Sequence, residues 1–148
     1  MNSKNGRILA IDYGSSRIGL AMSDPLNIIA QGLKTIPNDS MTFNEIHKLV
    51  KQHNVSQIVV GKPLHLSGRE SLQSSKVESF VQQLQKTISV EIVMVDERFT
   101  SVMAQQSIRA MGAKKKQRQN KAKVDEVAAA ILLQGYLDSL QRSREHLH

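Results

Sequence analysis

Cysteine is absent from the 148 residues, which excludes disulfides and thiolate metal sites. Tryptophan is absent too, and aromatic residues make up only 3% of the chain. A platform of rings for stacking unpaired bases is therefore not expected. With three prolines and eight glycines, no stretch has the composition of a flexible linker, and no internal repeat is visible. One domain over residues 1–148 is expected, with about 142–148 as a frayed tail. No apolar run approaches the roughly 20 residues that cross a bilayer. Residues Met1 to Arg7 lead into the first apolar run without the hydrophobic core of a signal peptide. A cytoplasmic protein with no membrane partner follows as the expectation.

Acid is the scarcer charge. Thirteen Asp and Glu face twenty Lys and Arg, for a net charge of +7. A basic chain of this size points to a polyanion such as nucleic acid. At 40% hydrophobic residues the chain can still build a full core.

The apolar pattern opens with strands. Arg7 to Asp12 and Ile18 to Asp24 flank a Gly14-Ser15-Ser16 turn and read as a hairpin. A third strand is expected within Leu26 to Ile36, ending at Pro37. Asn38-Asp39-Ser40 is a turn and a plausible cap for a helix carrying Phe43, Ile46, Leu49 and Val50 to about His53. Gln57 to Gly61 is a buried strand, Leu64 to Gly68 a loop, and a helix runs from about Glu70 to Ile88. Val90 to Asp96 is the next strand. A helix capped at Thr100 or Ser101 and stopped by Gly112 follows. A basic loop, Ala113 to Ala122, precedes the last helix, Lys123 to about Leu140. Antiparallel strands come first and crossover helices later. This predicts an α/β fold with a mixed five-stranded sheet and helices on both faces. Right-handed crossovers place the Val59 strand beside the Ile8 strand and the Val93 strand beyond it.

Three carboxylate positions stand out. Asp12 ends an apolar strand, where a charge is costly unless paired. Asp96 and Glu97 end the Val90 strand and point to opposite faces, so spacing alone does not choose between them. Asp125 lies on the helix face of Ala128, Ala129 and Leu132. Each has a plainer explanation: a turn residue for Asp12, a solvated end for the adjacent pair, and attraction to the positive helix end for Asp125. Taken together they suggest a shared site, and three such acids at close range need a cation to stay ionised. Oxygen-only donors favour Mg2+ or Mn2+ over zinc. Such sites suit in-line hydrolysis of a phosphodiester, typically with two metals roughly 3.5–4 Å apart.

Residues 114–123 carry Lys114, Lys115, Lys116, Arg118, Lys121 and Lys123 with no acid. A solvated loop is the usual meaning of such a run, but beside Asp125 it suits contacts to a phosphate backbone. The loop Gly61 to Gly68, with His65, is a plausible substrate loop and lacks the Gly-Lys-Ser/Thr of a Walker motif. The five histidines show no zinc spacing.

These motifs carry a resemblance. Asp12-Tyr13-Gly14-Ser15-Ser16-Arg17-Ile18-Gly19-Leu20-Ala21-Met22-Ser23-Asp24 resembles the opening motif of the YqgF family. Val60-Gly61-Lys62-Pro63 with Gly68, Asp96-Glu97-Arg98-Phe99-Thr100-Ser101, and Lys123-Val124-Asp125 leading into Ala128 to Gln134 are similar to its later motifs, in the same order. The resemblance implies a ribonuclease H-like fold and a bacterial, cytoplasmic nuclease. The family is known both for Holliday junction resolution and for maturing the 5′ end of pre-16S ribosomal RNA. It also implies catalytic, metal-binding roles for Asp12, Glu97 and Asp125, with Asp96 in support. Arg17, Lys62, Arg98 and the basic residues of 114–123 become implied substrate contacts.

The leading expectation is therefore a metal-dependent endonuclease acting on structured RNA. A DNA junction resolvase is the alternative, and it should act as a symmetric dimer, so monomer and homodimer both stay open. A non-catalytic nucleic-acid-binding factor in transcription or ribosome assembly is the alternative of another class. A nucleotide-binding reading, from the likeness of the Asp-x-Gly-Ser turn to actin-like ATPases, needs two such halves.

Overall fold

The run Leu9-Ala10-Ile11 is fully buried although its side chains alternate in direction. That is possible only for a strand covered on both faces, and this strand, β1 (Arg7–Tyr13), is the middle of the sheet. The computed structural model describes residues 6–62, 72–96 and 121–146. In it β1 is followed by β2 (Arg17–Ser23), β3 (Ala30–Pro37), α1 (Thr42–Gln52), β4 (Val55–Lys62), α2 (Leu72–Thr87), β5 (Glu91–Asp96) and α3 (Lys121–His146). The five strands lie in the order β3-β2-β1-β4-β5. The first three are antiparallel neighbours, and β4 and β5 run parallel to β1. The mixed sheet expected from the hairpin and crossover pattern is the one observed.

The two faces are built differently. On one, Leu9, Ile11, Ile18, Leu20, Ile58 and Val60 meet Ile46 and Leu49 of α1 and Val77, Phe80, Val81 and Leu84 of α2. These are large side chains, and Phe80 also touches the rings of Tyr13 and Phe43. On the other face Ile8, Ala10, Ala21, Ala30 and Val59 meet Ala129, Ala130, Leu132, Leu133 and Leu137 of α3. Small residues here let the helix axis come close to the sheet.

Several boundaries differ from the sequence expectation. The cap of α1 is Met41, one residue past the Asn38-Asp39-Ser40 turn. Asp39 instead accepts the Met41 N–H at 2.9 Å, and the Thr42 hydroxyl accepts the Asp39 N–H and donates to the Pro37 carbonyl. The third strand starts at Ala30, because Asp24 to Ile29 forms a tied loop. The last helix begins two residues early and continues to His146, so residues 142–146 are helical. The stretch Gln141-Arg142-Ser143-Arg144-Glu145 contains no glycine or proline and is rich in good helix formers. The expected helix between Thr100 and Gly112, the start of α2 at Glu70 and the loop from Leu64 to Gly68 lie outside the described residues. Among the described residues no helix is long and apolar enough to cross a membrane.

Candidate functional site

Asp12 occupies the penultimate position of β1 and pairs with Gly19 across the antiparallel ladder to β2. By strand alternation it shares the face of Ile8 and Ala10, which is the face α3 covers. The helix crosses β2 at this same point. A Cβ added to Gly19 would fall 2.2 Å from the Asp125 carbonyl oxygen and 3.0 Å from the Asp125 Cβ. Only a residue without a side chain allows that approach. Gly19 is therefore flanked by Asp12 on the neighbouring strand and by Asp125 above it. Two acids 113 positions apart in the chain are brought together by a missing side chain.

Arg17 is the third member. It begins β2 on the same face as Gly19, and its Nε donates to Asp125 Oδ2 at 2.8 Å. The Arg17 side chain is 45% exposed and that of Asp125 24%, so the pair lies at a solvent-facing rim. No acidic residue falls in the first turn of α3, because the helix already starts at Lys121. Attraction of Asp125 to the helix end thus explains less than the sequence spacing implied.

Other expected residues fall elsewhere. Lys62 ends β4 on the face of Ile58 and Val60, and its Nζ lies 2.7 Å from Glu78 of α2. It is thus on the side of the sheet opposite Asp125. Asp96 pairs in register with Lys62 and shares the strand parity of Ile92 and Met94, also away from α3. Lys121 and Lys123 lie in the first residues of α3, with side chains outside the described set. Glu97, Arg98, Lys114, Lys115, Lys116, Arg118 and His65 lie outside the described residues. Among the described residues no three His, Asp or Glu side chains form a group able to hold a metal. The two carboxylates that do flank Gly19 offer oxygen donors alone, the set a hard divalent cation takes.

Gly19 and Gly32 are the residues whose part at this site the sequence reading overlooked. A Cβ on Gly32 would fall 3.1 Å from the Glu126 Cβ, so β2 and β3 each offer a glycine to successive residues of α3. A glycine inside an otherwise apolar strand is itself a signal of close backbone approach.

A family model described as "RuvX: Holliday junction resolvase" matches residues 6–139. The chain belongs to the RuvX, or YqgF, family. RuvX relatives named "Putative pre-16S rRNA nuclease" include one from Phocaeicola vulgatus, 48% identical over 134 residues, covering 90% of this chain and 96% of the relative. One from Bacteroides fragilis is 45% identical with the same coverage. Another from Sulfurihydrogenibium is 43% identical and covers 94% of each chain. Among solved structures, Thermus thermophilus RuvC in complex with Holliday junction substrate superposes with a TM-score of 0.57 at 14% identity, covering 90% of this RuvX chain and 96% of that one. The Fowlpox virus resolvase bound to Holliday junction DNA gives a TM-score of 0.53 at 14% identity, covering 90% and 98%. These likenesses establish a ribonuclease H-like fold for this RuvX chain.

Proposed function

We propose that this protein is a metal-dependent endonuclease hydrolysing phosphodiester bonds in structured nucleic acid, with precursor 16S ribosomal RNA as its substrate. The observation that carries the reading is the meeting of Asp12 and Asp125 around Gly19, with Arg17 at the rim. Two carboxylates from distant elements on one face of the sheet offer a hard divalent cation a set of oxygen donors, one of which Arg17 also engages. Asp12, Glu97 and Asp125 would hold Mg2+ or Mn2+. Asp96 shares the strand parity of Ile92 and Met94, on the face away from Asp12, which leaves it a supporting part.

When bound, the cation supplies a water activated near neutral pH and charge neutralisation at the phosphate. The chain's own residues do the rest. Asp12, Glu97 and Asp125 fix where that charge sits. Arg17, Arg98 and the basic residues of 114–123 hold the phosphate backbone. RNA is favoured because the relatives at 43–48% identity are named for pre-16S rRNA. The Holliday junction reading keeps its place because the family description names it.

The test compares one preparation on a precursor 16S RNA fragment and on a four-way DNA junction, with Mn2+ present. Cleavage of the RNA in preference to the junction is expected. Asp12→Asn, Glu97→Gln and Asp125→Asn should each abolish it, while circular dichroism stays near wild type and RNA binding measured without metal is not weakened. Cleavage that survives Asp125→Asn, or persists in excess chelator, would overturn the proposal. Preference for the junction would move the substrate to DNA.

A further inference from the structure

The Arg17–Asp125 pair has two features that a simple tether does not need. Its donor comes from the exposed start of β2, beside the Gly14-Ser15-Ser16 turn, and nearly half of the Arg17 side chain faces water. Its acceptor is Asp125 Oδ2, on the carboxylate that stands over Gly19 beside Asp12. A half-exposed ion pair is weakly held and exchanges its partners readily. Arginine, moreover, has a planar fork that fits a phosphate as well as a carboxylate, so the same side chain can serve either.

We infer that Arg17 is an exchangeable counter-charge: it shares Asp125 with the divalent cation in competition, and once displaced it turns to a phosphate oxygen of the nucleic acid. This rests on the reading of Asp12, Glu97 and Asp125 as the cation-binding set. It goes beyond that reading by giving Arg17 two successive partners and by coupling cation affinity to substrate binding. A guanidinium beside Asp125 repels a dication arriving at the same carboxylate. A phosphate that draws Arg17 away removes that repulsion, so nucleic acid and cation bind with positive coupling, each raising the affinity of the other by the same factor. Arg17 thus acts as a positioning residue for the cation as well as a contact for the substrate.

The experiment measures Mn2+ binding to the full chain without nucleic acid, through loss of the free-ion electron paramagnetic resonance signal. Arg17→Gln removes the competing charge and is expected to bind Mn2+ about tenfold tighter than wild type. The same variant should bind a non-cleavable precursor RNA more weakly, with the slope of log affinity against log salt reduced by about one. Adding that RNA should raise Mn2+ affinity in the wild type but not in Arg17→Gln. Where Arg17→Gln melts too early to be used, Arg17→Lys serves. Its single ammonium cannot reproduce the Nε contact, and a gain in Mn2+ affinity of about threefold is expected. Unchanged or weaker Mn2+ binding in these variants would overturn the inference and leave the pair as a tether between β2 and α3. Mn2+ binding that is undiminished in Asp125→Asn is a different failure, since it would remove the cation site itself.

Discussion

Asp24 shows what one carboxylate does at the other end of the sheet. Its Oδ1 accepts the amide N–H of Ile28 at 2.7 Å and of Ile29 at 2.8 Å, and its Oδ2 that of Leu26 at 3.2 Å. Burial pushes the carboxyl pKa up, but these amides together outweigh it and hold it below the ordinary value of 3.8. A lowered folded-state pKa means that the carboxylate stabilises the fold fully above about pH 5, and that this contribution is lost as pH falls through the folded value. Asp24→Ala should therefore cost about 1 kcal/mol in urea unfolding at neutral pH, with the gap to wild type narrowing by pH 3. Gln134 is a second single-residue anchor. Buried in α3, it accepts the Ala30 N–H at 2.9 Å and donates to the Ile28 carbonyl at 3.0 Å, joining the helix to the start of β3. Gln134→Leu leaves that amide and carbonyl without partners and should destabilise by about 1–3 kcal/mol, read from the same unfolding curves.

Among the elements, α3 is the one whose seating decides everything near Asp125. Gly19→Ala forces the Asp125 backbone away from β2, which overpacks a closed contact and should cost about 1–3 kcal/mol in stability. It should also depress cleavage more than substrate binding, measured as kcat against Kd, because Asp125 is displaced while the basic surface remains. Gly135 is the contrast. A Cβ there meets nothing within 4 Å, so Gly135→Ala should raise stability by about 0.5–1 kcal/mol through helix propensity alone. The strands were legible in the sequence because their apolar runs are dense, and the order β1-β4-β5 followed from crossover handedness. The start of β3 was not, since Leu26, Ile28 and Ile29 look like strand residues yet are 74%, 50% and 43% exposed in the Asp24 loop. Side-chain hydrogen bonds hold that loop, and periodicity does not register them. At the site, the helical spacing of Asp125 with Ala129 and Leu132 correctly gave its face. The side of the sheet taken by Lys62 was readable as well, because it follows Ile58 and Val60 in a two-residue period. What no spacing carried was Gly19 as the point of closest approach, which depends on where one helix crosses one strand.

At the scale of the whole molecule, a cation held jointly by β1 and α3 would clamp two elements together. Mn2+ should then raise the melting temperature of the wild type, and the increase should disappear in Asp125→Asn. RNA binding should weaken linearly in log affinity with log salt, and reversing the charge of Lys115 and Lys116 should flatten that slope by about two. Arg17 and Asp125, which meet at the rim, are 108 residues apart in sequence. A chain emerging from a ribosome releases β1 and β2 well before it releases α3, and synthesis proceeds at about 5–20 residues per second. For several seconds the nascent protein therefore lacks one of its acids and leaves Ile8, Ala10, Ala21 and Val59 uncovered. The face that seats Asp12, Arg17 and Asp125 is thus closed only when translation of α3 is under way.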